Sequence, residues 1–203
     1  MSTNNVVGLT GGIGAGKSTA ASILGDFGAI IVDCDQLGRD VVKPSGTAYM
    51  DIVNHFGPDI VHDDGTLDRQ QLASVVFSDP AELAALNAIT HPAMDLEIAA
   101  AISTAQPTDV VVLDMAILAE SQLGAGQYNH VLVVETAMDL RIDRLTSIRA
   151  MSPDDAKARI ASQASDQQRR EIADETITNN SGVEELRNAL RAWWDRYQID
   201  ITP

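Results

Sequence analysis

Gly11-Gly12-Ile13-Gly14-Ala15-Gly16-Lys17-Ser18 follows directly on the apolar run Val6-Val7-Gly8-Leu9. The stretch is G-x-x-x-x-G-K-[ST], placed after a short strand and before a helix, which is the setting of a loop that binds nucleoside triphosphates. Its glycines permit backbone conformations that a Cβ forbids, so consecutive N–H groups can turn inward around a phosphate. Lys17 supplies a point charge for the β- and γ-phosphates, and the Ser18 hydroxyl can ligate Mg²⁺. The following helix, about Lys17 to Phe27, aims its partial positive end at the same anion. A plain glycine-rich turn would leave the Lys-Ser pair unexplained.

Outward from the loop, five apolar runs read as buried parallel strands: Val6 to Leu9, Ala29 to Val32, Val110 to Leu113, Val131 to Val134, and a weaker Thr176 to Thr178. Helical patterns separate them, which predicts an α/β fold with a parallel sheet. The gap between the second and third strands exceeds a single crossover helix. Residues 36–108 are therefore expected to hold several helices capping the carboxyl edge of the sheet, where open parallel sheets bind ligands. Short amphipathic helices are expected at Ala48 to Phe56, Arg69 to Phe77, Ala81 to Ala88 and Ala93 to Ile102. Ser152-Pro153-Asp154-Asp155 has an N-cap serine, proline at the first helical position and an acid at the third, opening a helix to about Gln163. Two helices with outward arginines between the fourth and fifth strands read as a mobile lid. The last helix, Glu184 to about Tyr197, offers Trp193, Trp194 and Tyr197 as core rather than as a stacking site for a base.

A formal charge of −15 argues against a nucleic-acid backbone or an anionic membrane as partner. The few cations are concentrated. Lys17, Lys43 and Lys157 are the only lysines, and Arg141, Arg144, Arg149, Arg159, Arg169 and Arg170 are six of the eleven arginines. That thirty-residue stretch has a local charge of +3. Any one of these arginines could be a solvated helical charge, but as a cluster they point to phosphate. The lone Cys34 has no intrachain disulfide partner, no leader is legible at the N-terminus, and Asp114 interrupts the longest apolar run. Together these predict a cytoplasmic protein.

The remaining motifs narrow the reaction. A guanine-reading Asn-Lys-x-Asp is absent, and Asp26-Phe27-Gly28 ends the first helix without a companion His-Arg-Asp loop. The second strand ends in Asp33-Cys34-Asp35, followed by Arg39. A carboxylate there can take the proton of an incoming hydroxyl, or cap the next helix, and both uses stay open for Asp35. Asp114 closes the third strand as a Walker B aspartate would, in position to hold Mg²⁺ or its water shell.

With these motifs in place, the chain resembles the bacterial dephospho-CoA kinases along nearly its whole length. The resemblance rests on Gly8 to Thr19, Val32-Asp33-Cys34-Asp35 with Arg39, Asp64-Gly65-Thr66-Leu67-Asp68-Arg69, Phe77, and His91-Pro92. It continues through Arg144-Leu145 with Arg149, Ala158 to Gln163, and Ala173-Asp174 with Ile177 and Asn179. It implies transfer from ATP, with Mg²⁺, to the ribose 3′-hydroxyl of dephospho-CoA. The fold implied is a P-loop kinase with a five-stranded sheet of order 2-3-1-4-5. It also implies one domain over residues 1–203, divided into a nucleotide core (1–35, 109–140, 171–203), a helical CoA-binding insert (36–108) and a lid (141–170).

In residue terms the resemblance implies that Gly12, Ile13, Gly14, Ala15, Gly16, Lys17, Ser18 and Thr19 bind the nucleotide, with Asn179 near the adenine. Asp35 would activate the 3′-hydroxyl, with Lys17, Arg144 and Arg149 as its catalytic partners. Asp33, Arg39, Arg69 and His91 would line the acceptor side, with Gln163 reaching it from the lid. Ser18 and Asp114 would hold the metal. One segment departs from the family pattern Asp-x-Pro-Leu-Leu-x-Glu, reading Asp114-Met115-Ala116-Ile117-Leu118-Ala119-Glu120. Losing that proline releases one φ angle and adds an N–H donor. Another small-molecule kinase of this fold, or a non-catalytic nucleotide switch, is the alternative. Oligomeric state is not legible, and a monomer fits.

Overall fold

The computed structural model describes residues 5–121 and 123–201. In chain order the elements are β1 (Asn5–Gly11), α1 (Lys17–Asp26), β2 (Ile30–Asp33), α2 (Cys34–Asp40), α3 (Tyr49–Phe56), α4 (Arg69–Ser78) and α5 (Pro80–Ser103). They continue with β3 (Val110–Asp114), β4 (His130–Glu135), α6 (Met138–Arg149), α7 (Pro153–Ala161), α8 (Asp166–Ile172), β5 (Glu175–Thr178) and α9 (Val183–Ile201). The chain divides into two compact units, residues 1–33 with 102–203, and residues 34–101.

The first unit is a five-stranded sheet of order β2-β3-β1-β4-β5 in which every pairing is parallel. β1 and β3 are central, and from Val6 to Gly11 and Val110 to Asp114 every residue is buried. That is why their sequences read as continuous apolar runs rather than as alternation. The five strands fall where the apolar runs predict them. On the sheet, α1 and α9 bury Leu24, Leu186, Leu190, Trp193, Trp194 and Tyr197 in one cluster with Val7, Leu9 and Leu132. Trp193 and Tyr197 are stacked at 5.1 Å, and Phe27 meets Trp194 at 6.2 Å. The α9 aromatics are core, as expected. Truncating such a buried ring costs about 3–5 kcal/mol.

The region between β4 and β5 departs from expectation in two ways. It holds three helices, not two, and two of its arginines face inward: Arg141 and Arg169 are each 2% exposed. Both buried guanidiniums are matched by partly exposed carboxylates, Asp166 for Arg141 and Asp166 with Glu120 for Arg169. A small apolar cluster of Leu145, Ala156 and Ile160, with Ile13 packed on it, joins α6 and α7 to the phosphate loop.

The second unit contains α2 to α5, with Ile52, Ile60, Leu72, Val76, Met94 and Ile98 buried. Here Pro92 misleads a sequence reading. The two helices expected on either side of it are one helix, α5, with Pro92 inside. Proline removes one donor, and in the same turn the Thr90 hydroxyl donates to the Leu86 carbonyl at 2.9 Å. Ala93, Met94 and Ile98, all buried, continue the helix past the break.

Candidate active site

The phosphate loop spans the end of β1 and the first turn of α1. Gly14 and Gly16 have φ of 80° and 95°, left-handed values that cost an L side chain roughly 1–2 kcal/mol. Space forbids side chains too. A Cβ on Gly12 would run into the Arg141 guanidinium, and one on Gly16 into the Asn179 amide.

Those same neighbours hold the loop carbonyls. Arg141 Nε donates to the Ile13 carbonyl at 2.9 Å. Asn179 Nδ2 and the Thr136 hydroxyl donate to the Ala15 carbonyl at 2.8 and 3.0 Å. Arg144 Nη1 reaches the Gly14 and Ala15 carbonyls at 3.4 and 3.5 Å. In a trans peptide the carbonyl of one residue and the N–H of the next point in opposite directions. Drawing the Ile13 and Ala15 carbonyls toward Arg141, Thr136 and Asn179 therefore turns the Gly14 and Gly16 N–H groups to the other side, the side a phosphate needs. The Ala15 N–H closes on the Gly12 carbonyl at 2.9 Å. The Ile13 N–H is engaged as well, donating to Gln163 Oε1 at 2.7 Å.

At the loop's end, Lys17 Nζ lies 2.5 Å from Asp114 Oδ1. Sheet register explains the meeting, since Asp114 is the partner of Leu9 on β1 and of Asp33 on β2. Three parallel strands thus bring Lys17, Asp114 and Asp33 to one carboxyl edge. Ser18 and Thr19 are exposed on the first turn of α1.

Arg144 and Asn179 both belong to this site, as supports of the loop. Arg144 Nη2 donates to the Asn179 carbonyl at 2.9 Å and its Nη1 to the Thr136 hydroxyl at 3.2 Å. The Asn179 side-chain amide, expected near adenine, is committed to the Ala15 carbonyl. Gln163, expected to reach the acceptor from the lid, accepts from the Ile13 N–H of the loop. Arg149 ends α6 and is exposed. Nearby, Arg170 pairs with Glu135 at 2.5 Å, and that hydrogen bond raises its already high pKa.

In the second unit, Asp35 and Arg39 are exposed on α2, and His91 is half-buried on α5. Arg69, the first residue of α4, donates from Nη2 to the Arg39 carbonyl at 3.4 Å. The Asp64-Gly65-Thr66-Leu67-Asp68-Arg69 motif has a structural explanation. Asp64 accepts from the Thr66 N–H and hydroxyl, Tyr49 donates to the Gly65 carbonyl at 2.5 Å, and Asp68 caps α4 through Gln70 and Gln71. The turn delivers Arg69 beside Arg39.

Sequence reading misses Thr136 and Asp166, names Glu120 only as the end of the segment that departs from the family pattern, and sees Arg141 and Arg169 only as cluster charges. Their contacts are not legible in spacing, because they join the loop or a partner across 25 to 128 residues of chain.

The sequence model of the dephospho-CoA kinase (CoaE) family matches residues 5–185. The chain belongs to the dephospho-CoA kinase family. The dephospho-CoA kinase of Streptomyces avermitilis is 42% identical over 189 residues, covering 93% of this chain and 91% of that one. The crystal structure of TT1252 from Thermus thermophilus matches with a TM-score of 0.80 at 29% identity, covering 95% of this chain and 97% of that one. Dephospho-CoA kinase from Campylobacter jejuni, at 20% identity and a TM-score of 0.64, covers 96% of this chain and 98% of its own and shares the fold. Membership makes this chain an ATP-dependent kinase that converts dephospho-CoA to coenzyme A. Among the described residues no helix is long and apolar enough to cross a membrane.

Proposed function

We propose that this family member transfers the γ-phosphoryl group of Mg²⁺·ATP to the ribose 3′-hydroxyl of dephospho-CoA, using the loop of residues 11–19 as its phosphate cradle. The observation that carries the reading is the set of loop carbonyls held by Arg141, Arg144, Thr136 and Asn179. It preorganises N–H donors before any nucleotide arrives, so that little reorganisation is left for the transfer step. Lys17 neutralises phosphate charge, and Arg144 keeps the loop in shape while Arg149 reaches the phosphoryl group from the end of α6. Asp35, two residues beyond the last residue of β2, takes the 3′-hydroxyl proton. Asp33, Arg39, Arg69 and His91 serve the acceptor.

The donor set fits Mg²⁺. Ser18 and Asp114 offer hard oxygen donors, with Asp33 in register beside Asp114. Among the described residues no cluster of three metal-ligating side chains occurs, so the ion would take its other ligands from phosphate and water, as Mg²⁺ usually does. When bound, it would offset charge on the β- and γ-phosphates. The reading places the reaction in the cytoplasm, with no nucleic-acid partner for a chain of charge −15.

The decisive experiment compares acceptors. Residues 34–101 form a separate unit, and an acceptor larger than a nucleoside gives that unit binding energy to use in positioning the reacting hydroxyl. Dephospho-CoA should be phosphorylated at least ~100-fold more efficiently than adenosine, about 2.7 kcal/mol of differential transition-state binding. The product should be 3′-phosphorylated and accepted by an enzyme that requires coenzyme A. Equal kcat/KM for adenosine or AMP would make this another small-molecule kinase, and nucleotide binding without transfer would make it a switch.

A further inference from the structure

The inward-facing arginines of α6 and α8 form a chain of charges around the phosphate loop. Arg141 holds the Ile13 carbonyl through Nε and gives Nη1 to Asp166 Oδ1 at 3.0 Å. The same Asp166 oxygen accepts from Arg169 Nη1 at 3.4 Å, and Arg169 Nη2 reaches Glu120 Oε1 at 3.3 Å. Glu120 Oε1 also accepts the Ala164 N–H at 2.8 Å. Ala164 adjoins Gln163, which binds the N–H of Ile13. Both sides of residue 13 are thus tied to the segment that Glu120 anchors. Glu120 lies six residues beyond Asp114, the partner of Lys17, so the contacts close a ring around the loop.

The charges in this ring are not surface ornaments. The Arg141 and Arg169 side chains are 3% and 2% exposed, those of Asp166 and Glu120 34% and 25%. Each guanidinium leaves one buried nitrogen, Arg141 Nη2 and Arg169 Nε, without a hydrogen-bond partner among the described residues. Burial works against the Arg141 charge and Asp166 supports it. Two buried cations with incomplete hydrogen bonding depend on their two carboxylates, and removing one carboxylate leaves an uncompensated charge.

We infer that Glu120 is a positioning residue for nucleotide binding, acting through Arg169, Asp166 and Arg141 to hold the Ile13 peptide in its phosphate-ready orientation. The inference rests on the phosphate-cradle reading of residues 11–19. It differs from what the position of Glu120 in the chain suggests, because a residue just past β3 in the stretch Asp114 to Glu120 would otherwise be assigned to the acceptor.

The test measures ATP and dephospho-CoA dissociation constants directly for the wild-type chain, Glu120→Gln, Arg141→Lys and the double variant. Glu120→Gln keeps an acceptor for Ala164 and removes only the charge. It should raise the ATP Kd by at least ~5-fold and leave the dephospho-CoA Kd within ~2-fold. The double variant should bind ATP about as weakly as the weaker single variant, since groups in one network do not act additively. A shift in dephospho-CoA affinity alone would make Glu120 an acceptor contact and overturn the inference. Unchanged ATP affinity with a lowered Tm, or independent multiplicative effects, would overturn it too. If Glu120→Gln does not fold, Asp166→Asn carries the same expectation. Failure of the wild-type chain to bind ATP at all would instead refute the cradle itself.

Discussion

Lys17 Nζ and Asp114 Oδ1 lie 2.5 Å apart with side chains only 13% and 12% exposed. The cation meant for phosphate is thus already matched to a carboxylate at the end of the neighbouring strand. Desolvation offsets much of what such a pair gains, but removing one partner takes the counter-charge from a largely buried group and so costs more than at a surface salt bridge.

Lys17→Ala should therefore abolish phosphoryl transfer and also lower Tm. Adding Asp114→Asn to that variant should recover much of the Tm while transfer stays absent. Thermal melts and turnover on the two variants check this. Near-normal turnover in a folded Lys17→Ala protein would remove the loop's assignment.

Asp35→Asn keeps size and removes the base, so kcat should fall by roughly 10²–10⁴. Asp35 is exposed on α2, and ATP affinity should barely change. A loss of ATP binding as large as the loss of turnover would show that the residue serves metal or loop instead.

Arg144 and Arg149 separate two kinds of contribution. Arg144→Lys loses the planar fork that joins Thr136, Asn179 and the loop carbonyls, so KM for ATP should rise together with a fall in kcat. Arg149 is exposed at the end of α6, so Arg149→Lys should leave Tm unchanged and reduce kcat alone. Steady-state kinetics with ATP as the varied substrate distinguish the two, and wild-type rates from Arg149→Lys would reduce that arginine to a surface charge.

Burial, with Asp174 adding to it, pushes the Tyr197 phenol up from its ordinary 10.0 to about 12. Above pH 10 the unfolded chain releases this proton while the folded one keeps it. The unfolded state then binds fewer protons and stability falls as pH rises. The contribution is complete below pH 10 and is lost as pH rises through about 12. Urea melts between pH 9 and 12 should show a shallower alkaline decline for Tyr197→Phe than for the wild-type chain, and equal slopes would exclude the phenol.

Much of the architecture is legible in the chain because its causes are local. Val110 to Leu113 is apolar at every position, as a strand covered on both faces must be. Gly14 and Gly16 stand where the backbone turns left-handed, and Lys17-Ser18 opens the helix. Pro92 shows where local reasoning misleads: a proline breaks a helix in isolation, yet the buried side chains of Ala93, Met94 and Ile98 carry α5 through it.

The sequence by itself determined the phosphate loop, the five strands, the aromatic core of α9 and the family, because each is written in spacing over a few residues. Tertiary structure decided what the isolated charges do. A count of arginines between residues 141 and 170 cannot tell Arg149, in solvent, from Arg141 and Arg169, in the interior. Burial of an arginine depends on whether a carboxylate from a distant segment arrives beside it, and Glu120 is 49 residues from Arg169. Only the fold brings Glu120, Asp166 and the Ile13 carbonyl to those guanidiniums, and at those distances burying them is tolerable.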